Sequence, residues 1–415
     1  MAAADAQLFW MSAKVPNDQF LLFGFDGSPD DMGAAVAELR RRAGSCDELR
    51  LRVIDDAAWR FPRWRTGDVK PDQFVVAEHP GDWQGCLDAL ARLDQLDARR
   101  MAWRAHVFPG VGGIPRVAGP GSVVVVQMSH ALGDGSRSAA LAGALLGRAA
   151  PVPAVGAPDA GFLPRRAVAA ARAHRRLVRD TAAGLVPPPG LSRAPLSVND
   201  RPGGQSVIRT VVVRRDRLPG PTVTVGALVV ITEALSGYLA ERGEDITRLG
   251  AEVPMAGPGD GNAHNNFRSV GVGLYAQLEP AARAEAIARE LAGHRRRGAH
   301  PAMRASAAAF AAVPPVLLRW GIGQFDPSER SAVVSGNTVV SSVNRGPADL
   351  SFGGCPVVLT AGYPALSPMM SLTHGVHGIG DVLAISVHAD PVNVDVDDYL
   401  PRLRSALGLN PRGRA

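Results

Sequence analysis

A run of β-branched residues that ends in a polar turn is the feature of this sequence that most limits its fold. Residues 122–128 read SVVVVQM, which predicts a buried strand. The strand leads into the turn Ser129-His130-Ala131-Leu132-Gly133-Asp134-Gly135, and an Ala- and Leu-rich helix is predicted over 136–148. This succession predicts an α/β structure with a histidine at the end of an inner strand.

The rest of the chain mixes strand and helix patterns without strict βαβ alternation. In the second half, residues 206–215 predict a strand, 222–242 predict a long helix, and Asp395 can cap a final helix. We therefore expect an α/β fold built from mixed sheets flanked by helices, and not a Rossmann fold. The sequence has no GxGxxG after a strand and no GxxxxGK[ST], so dinucleotide and P-loop binding have no support.

A linker rich in proline and glycine divides the chain. It spans 151–205 and separates a first half, 1–150, from a second half, 206–415. Within it, residues 165–184 predict a helix that carries six arginines. This helix is either a solvated crossover or a basic face that touches phospholipid or a nucleotide phosphate.

Charge and cysteine content limit the function classes. The net charge is +6, and all 45 basic residues except Lys14 and Lys70 are arginine. Such a charge favours anionic partners, but scattered arginines and an aromatic content of only 5% do not indicate a nucleic-acid-binding module. Three distant cysteines form no disulfide framework or zinc motif, which fits a reducing cytosol.

The apolar segments indicate a cytoplasmic protein that is soluble or lies at a membrane surface. The amino-terminal residues lack the basic-then-apolar order of a signal peptide. The most apolar stretch, 306–318, is too short to span a bilayer and contains a Pro-Pro pair. The slightly longer segment 306–320 predicts either a buried helix or a lipid-facing surface or lid.

His130 is the residue best placed for chemistry. A neutral imidazole can take a proton from a hydroxyl or thiol and return it to a leaving group. Asp134 could orient the ring or pair with an arginine, and Gly135 would permit a tight turn. The HxxxDG spacing is short, so a purely structural histidine is the alternative.

Several blocks in a fixed order add context to this motif. SHALGDG after VVVVQM resembles the HHxxxDG motif of the condensation-domain and chloramphenicol-acetyltransferase-like superfamily. Within it, the chain resembles the bacterial wax ester synthase/diacylglycerol acyltransferase family over most of its length. The similar blocks read DAQLFWMSAKVPNDQFLLFGFDG, LDARRMAWRAHVFPGV, PTVTVGALVVITEALSGYLAERGE, AEVPMAGPGDGNAHNNFRSVGVGLYAQLEPAARAEAI, NTVVSSVNRGPADLSFGGCPV and VLAISVHADPVNVDVDDYLPRLRSAL.

The resemblance implies two related subdomains with an active-site channel between them. One mouth would admit acyl-CoA and the other a lipid alcohol such as diacylglycerol or a fatty alcohol. His130 would be the general base, Asp134 would be mainly structural, and Gly135 would allow the bend. Acyl-CoA would be a co-substrate, no cofactor or metal would be needed, and peripheral contact with the inner membrane face or lipid droplets would follow.

The sequence departs from the family pattern at three places. Ser129 replaces the first motif histidine, and only Trp103 remains of a Pro-Leu-Trp segment. The family's Asn-Asp pair falls on Thr224-Val225, and loss of an oxyanion donor there could cost about 10²-fold in rate. The substitutes for it in the oxyanion hole or channel wall are backbone donors and the side chains of Ser129, Thr224, Ser342 and Asn344.

Two other functions remain open. One is a condensation-type acyltransferase that takes acyl groups from carrier proteins and uses another hydroxyl or an amine as acceptor. The other is a non-catalytic lipid-binding paralogue, which the missing Asn-Asp pair favours and the intact HxxxDG opposes.

Four further groups have a structural and a functional interpretation. His374 and His377 indicate a glycine-rich hairpin more than a metal site, because i and i+3 face opposite sides of a strand. His264 is either in a surface loop or in the channel wall. Residues 294–297, HRRR, either end a helix or contact CoA phosphates, and Cys355 is not expected to be a catalytic thiol.

Overall fold

The structure, a computed structural model, describes residues 1–78, 81–158, 161–259 and 261–410. Fourteen strands and ten α-helices are formed within these ranges. The strands are β1 (Gln19–Phe25), β2 (Leu51–Ile54), β3 (Arg63–Thr66), β4 (Phe74–Val76), β5 (Trp103–Val111), β6 (Gly121–Met128), β7 (Val207–Arg214), β8 (Gly250–Ala256), β9 (Phe267–Gly273), β10 (Thr338–Asn344), β11 (Ser351–Phe352), β12 (Cys355–Gly362), β13 (Leu372–Ile379) and β14 (Val382–Ala389).

The helices lie on and between the sheets. They are α1 (Ala3–Met11), α2 (Met32–Gly44), α3 (Trp83–Ala91), α4 (Gly135–Leu145), α5 (Leu163–Ala182), α6 (Val223–Ala240), α7 (Pro280–Ala299), α8 (Pro301–Ala311), α9 (Pro315–Gln324) and α10 (Val396–Ala406). As predicted, Asp395 caps α10, accepting hydrogen bonds from the backbone N–H groups of Asp397 and Asp398 at 3.0 and 3.1 Å.

Two six-stranded mixed sheets form the framework. The first has the order β11-β12-β1-β6-β5-β4 and the second β7-β14-β13-β10-β8-β9. Most neighbours are antiparallel, whereas β4 with β5, β10 with β8 and β10 with β13 are parallel. Mixed sheets flanked by helices confirm the predicted fold class.

The first sheet contains strands from both ends of the chain. β12 pairs with β1, with Leu21 opposite Gly362, so residues 351–362 complete a sheet whose other strands come from the first half. The predicted boundaries at 150 and 205 stay a prediction. The topology adds that one hairpin of the second half crosses into the first sheet.

Three apolar cores follow from this topology. One is formed by residues of the second half around α6 and α10, and another is formed mainly by the first half around α1, α2 and α4. The third contains residues of both sheets, including Leu22 and Leu359 from the first sheet and Ile208 and Ala384 from the second. The two halves are therefore packed together through a shared core.

The most apolar helix is a core element. α6 is the one single helix of the described residues that is long and apolar enough to cross a membrane, and 67% of it is buried inside the protein. Residues 306–320, predicted as one buried helix or a lid, fall in α8 and α9, which meet at a bend of 97°. Leu318 and Ile322 of α9 are buried, whereas Leu317 and Trp320 are 55% and 65% exposed.

Two other local predictions agree with the structure. The glycine-rich segment that contains His374 and His377 forms a hairpin, in which β13 pairs antiparallel with β14 across a tight turn at Gly380 and Asp381. The sequence did not predict that β13 is a fully buried inner strand between β10 and β14, because β propensity mostly reflects packing by neighbours. The basic helix α5 forms as expected, and Leu177 is its one buried residue.

Candidate active site

The turn after β6 places His130 at the junction of the two halves. β6 is buried along its whole length, and a short 3-10 turn, His130–Leu132, interrupts the chain before α4 begins. The half-buried imidazole stacks on Phe267 of β9, with ring centroids 5.3 Å apart. His130 also lines a cavity of about 890 Å³, which we call the reaction cavity.

Asn265 fixes the tautomer of His130. The Asn265 Nδ2 donates to the backbone oxygen of His130 at 2.9 Å and to Asp5 Oδ1 at 3.1 Å, so its Oδ1 is the atom that faces the ring. Oδ1 lies 3.0 Å from His130 Nδ1 and accepts the Nδ1 proton. The Nε2 atom is then unprotonated and is free to act as a base.

Burial keeps this imidazole neutral. It lowers the pKa of His130 below the ordinary 6.5, against smaller opposing contributions from its own backbone, the Asn265 hydrogen bond and the Asp134 charge. A neutral ring with a free Nε2 is the form that can accept a proton near pH 7.

Asp5 holds the loop that carries Asn265. Its buried carboxylate accepts hydrogen bonds from the backbone N–H groups of His264 and Asn265, at 3.0 and 2.9 Å. Burial raises the pKa of Asp5, and these hydrogen bonds oppose the rise. The first helix of the chain thus positions a loop of the second half against the turn that carries His130.

His264 is buried, so both sequence interpretations of it were wrong. It is 7% exposed, its Nδ1 lies 3.0 Å from the backbone oxygen of Leu132, and its ring stacks on Trp64. Burial lowers the pKa of His264 to about 4. It joins the loop of the second half to the first half instead of contacting solvent or the reaction cavity.

Asp134 holds the turn and does not orient the ring. Its Oδ1 accepts from the backbone N–H groups of Ser136 and Arg137 at 3.1 and 3.0 Å, which caps α4, and its Oδ2 accepts from Asn266 N at 3.1 Å. The carboxylate therefore ties α4 to the loop of the second half. Of the two alternatives for Asp134, the loop-holding one matches this geometry, although its partners are backbone amides and not an arginine.

Gly135 serves close packing and not backbone turning. It begins α4 and has no positive φ. A Cβ at this position would lie 2.9 Å from Val343 Cγ2 of β10. Cβ atoms in proteins essentially never come this close to another atom. Because Gly135 has no side chain, a strand of the second half can approach the turn that carries His130.

The remaining candidate residues are divided between two places. Thr224 Oγ1 donates to Ser342 Oγ at 3.1 Å, and both hydroxyls line a second cavity of about 490 Å³. Ser342 also lines the reaction cavity. Ser129 is buried at the start of the turn, and Asn344 is exposed and accepts from Gly346 N at 3.0 Å, so neither joins this pair.

The reaction cavity adjoins a cavity on each side. It shares Pro254, Met255 and Ser342 with the second cavity. It shares Val15 and Phe20, among others, with a third cavity of about 340 Å³, whose wall includes Leu90, Leu93 and Ile208. His130 thus lies midway along a series of three neighbouring cavities.

The second cavity is electropositive. Arg268, Arg295 and Arg304 line it, and no acidic residue of the described ranges does; we call these three the arginine mouth. Burial, reinforced by the nearby charge of Arg297, lowers the pKa of Arg268. Of the HRRR segment, Arg295 faces this cavity, whereas His294 is buried beneath it with its Nε2 3.1 Å from Gly271 O.

His374 and His377 do not converge on a metal. They lie on opposite faces of β13, where His374 contacts Thr338 and Tyr399 and His377 lines the reaction cavity. No cluster of three metal-ligating side chains occurs in the described part of the chain. The burial that lowers the pKa of His374 to about 3 marks it as a core residue.

Sequence reasoning missed Asn265, Asp5 and Arg345. The segment GNAHNNFRS belongs to one of the family-like blocks, but no role was assigned to Asn265, because nothing in the segment indicates contact with a turn 135 residues earlier. Its three asparagines were the available signal, since a side-chain amide can both accept from a histidine and donate to the backbone.

Comparison with known proteins supports the fold. No protein-family model and no curated protein sequence matches this chain. The structure is similar to a wax ester synthase/diacylglycerol acyltransferase from Marinobacter aquaeolei VT8, with a TM-score of 0.61, 16% identity, and 98% of this chain and 97% of that chain covered.

Two condensation domains are similar as well. The starter condensation domain of rhizomide synthetase, as a double mutant in complex with C8-CoA, has a TM-score of 0.59 at 16% identity, covering 98% of this chain and 92% of that chain. The first condensation domain of the CDA synthetase has a TM-score of 0.55 at 17% identity, covering 98% and 95%. The chain therefore has the fold that the wax ester synthase/diacylglycerol acyltransferase shares with condensation domains, as the order of its sequence blocks predicted.

Proposed function

We propose that this protein is an acyltransferase in which His130 activates a hydroxyl to attack an acyl-CoA thioester. The observation that carries the proposal is the His130 ring, with Nδ1 held by Asn265 and Nε2 left free beside a cavity between the two halves. The fold shared with acyltransferases and condensation domains supports acyl transfer as the reaction class.

The proposed reaction begins when Nε2 takes the proton of the acceptor hydroxyl. The alcohol oxygen attacks the thioester carbonyl, and a tetrahedral oxyanion forms. When this intermediate collapses, the C–S bond breaks and the imidazolium returns its proton to the departing CoA thiolate. The products are an ester and free CoA, so acyl-CoA is a co-substrate and no other cofactor takes part.

Ser342 is the proposed oxyanion donor. Its Oγ accepts a hydrogen bond from Thr224, which leaves its own hydroxyl proton available for a substrate oxygen. A positioned donor of this kind is worth about 10²–10³-fold in rate. The Thr224–Ser342 pair would then replace the amide side chain that the family pattern has at Thr224.

The arginine mouth is the proposed entry of the donor. CoA carries a pyrophosphate and a 3′-phosphate, and three arginines without an acidic residue beside them in the cavity wall match that charge. The C8-CoA in the rhizomide synthetase complex shows that this fold can hold an acyl-CoA. The acceptor would then enter from the third cavity, on the opposite side of His130.

We further propose that the protein is cytoplasmic and touches a membrane or lipid droplet through α9. Leu317 and Trp320 on this helix are 55% and 65% exposed, which gives it an apolar surface for contact with lipid. Such contact would suit an acceptor such as diacylglycerol or a fatty alcohol.

A CoA-release assay tests the function. Purified protein would be given octanoyl-CoA or an octanoyl-loaded carrier protein, each with fatty alcohols, diacylglycerol, hydroxy acids and amines. Release of CoA with ester formation is expected, and its loss in His130→Ala would support the base. Turnover from the carrier protein alone would favour the condensation type, and lipid binding without turnover would favour a non-catalytic paralogue.

A further inference from the structure

Arg345 is a buried cation in the wall of the reaction cavity. It follows β10 directly, is only 4% exposed, and lines the cavity together with His130. Among the residues that the structure describes, no carboxylate pairs with its guanidinium. Burial lowers its pKa to about 9, so it remains charged at pH 7.

Only one nitrogen of this guanidinium makes hydrogen bonds within the described chain. Nη1 donates to Thr360 Oγ1 at 2.5 Å, to the Ala361 oxygen at 2.7 Å and to the Leu22 oxygen at 3.5 Å. Nε is buried without an acceptor. Nε and Nη2 form the edge of an arginine that presents two parallel donors, the geometry that matches a carboxylate.

The missing side chain of Gly362 makes room for this edge of the guanidinium in the cavity wall. A Cβ at Gly362 would lie 2.6 Å from Arg345 Nη2 and 2.9 Å from His377 Nε2. His377 is 5% exposed and lines the same cavity, and its Nδ1 has no partner among the described residues. Burial and the Arg345 charge hold the pKa of His377 well below its ordinary value, so the ring adds a neutral polar group.

The acidic residues of the cavity wall have other partners. Asp18 accepts from Leu96 N and from Gln127 Nε2 at 2.8 and 2.7 Å. Glu252 accepts from the Ser335 hydroxyl, and Asp134 caps α4. Within the described residues the Arg345 guanidinium thus has only neutral neighbours, among them the Phe23 ring, whose centroid lies 5.3 Å from the guanidinium carbon, and a buried charge without an anionic partner is costly unless a ligand supplies one.

We propose that Arg345 binds a carboxylate on the acyl acceptor, so that among the lipid alcohols proposed above the natural acceptor is one that also carries an acid group, or its amino counterpart. The assignment to the acceptor rests on the proposed function. The pantetheine arm of CoA carries no charge between its thiol and its phosphates, and the arginine mouth accounts for those phosphates. A simple fatty acyl group adds no charge either, so we assign an anion in the reaction cavity to the other substrate.

Binding measured without an acyl donor tests this proposal. Isothermal titration calorimetry would compare ω-hydroxydodecanoate with its methyl ester, which differ in charge and share the chain and hydroxyl. We expect the wild-type protein to bind the acid about tenfold more tightly or better. Dodecyl phosphate, as a third probe, shows whether the site accepts phosphate as well as carboxylate.

Three variants locate the binding. Arg345→Met should abolish the preference for the acid, and Gly362→Ala should weaken it by crowding Nη2 while the arginine is kept. Arg295→Met, in the arginine mouth, should leave it unchanged. Circular dichroism checks folding; if Arg345→Met does not fold, Gly362→Ala and the wild-type comparison of acid and ester still decide.

The outcomes separate this proposal from the proposed function. Equal binding of acid and ester, an acid preference that survives in Arg345→Met, or one that disappears in Arg295→Met would each overturn the carboxylate site. Acid binding that depends on Arg345, with no CoA release from any donor and acceptor, would refute acyl transfer and leave the anion site standing.

Discussion

Two buried histidines show how their surroundings decide between chemistry and structure. His130 and His374 both have pKa values lowered by burial. His374 uses both ring nitrogens, with Nδ1 2.9 Å from Thr338 Oγ1 and Nε2 2.7 Å from the Tyr399 hydroxyl. In His130 only Nδ1 has a hydrogen-bond partner among the described residues, and the ring borders the reaction cavity. Burial alone therefore does not identify a base; a free nitrogen beside an open cavity does.

The largest expected effect is the loss of turnover in His130→Ala. Removal of a general base lowers the rate by about 10²–10⁴-fold, while the melting temperature should change little because the ring is half-buried at a cavity. CoA release and thermal melting measured on the same preparation check both parts. Turnover within tenfold of wild type would show that His130 is not the general base and, like His374, is structural.

His374→Ala should show the reverse pattern. It leaves the buried Tyr399 and Thr338 hydroxyls without their partner and opens a cavity, which together cost about 2–4 kcal/mol in the free energy of unfolding. Urea denaturation measures the loss, and CoA release per folded molecule should stay near the wild-type value. Normal stability with lost turnover would mean that His374 acts in catalysis.

Asn265→Ala tests whether the tautomer matters. Without the acceptor for Nδ1–H, the ring can rotate or carry its proton on Nε2, and we expect kcat to fall by about 10²-fold with KM little changed. Asn344→Ala, at an exposed turn, is the matched control and should behave like wild type. An unchanged kcat in Asn265→Ala would show that the ring needs no such anchor.

The arginine mouth allows a second comparison, between an arginine that lines the proposed CoA site and one that does not. Arg295→Met should raise KM for acyl-CoA by about fivefold, with the difference shrinking at high salt as the charges are screened. Arg296→Met removes an exposed charge of the same helix that does not line the cavity, and should have no such effect. Equal effects of both variants would indicate general attraction and not a phosphate site.

The smallest effect concerns pH. Because neutral His130 is the active form and burial lowers its pKa, kcat/KM should hold steady on acidification to pH 6.5 and decline only below it. His374 also favours its neutral form when folded, so its contribution to stability is complete above pH 6.5 and declines towards pH 3. A loss of kcat/KM on acidification that already begins above pH 6.5 would contradict a lowered pKa of His130.

Local patterns predicted several elements well. The β-branched run became β6, with the helix α4 directly after it, and the apolar segment after Thr222 became α6. These elements were visible because their side-chain periodicity follows from backbone geometry. The hairpin at β13 was predicted, but the burial of this strand was not, because its inner position comes from β10 and β14 and not from its own residues.

The sequence by itself determined the strand, the turn and the placement of His130 at a strand end, together with the fold class, since each depends on neighbouring residues or on the order of blocks. The tertiary structure alone decided which nitrogen of His130 is free, that Asp5 and Asn265 hold it, and that Arg345 lines the same cavity with no carboxylate partner in the described part of the chain. These contacts join residues more than 100 positions apart, and their energies depend on burial and direction, which exist only after the two halves have packed together.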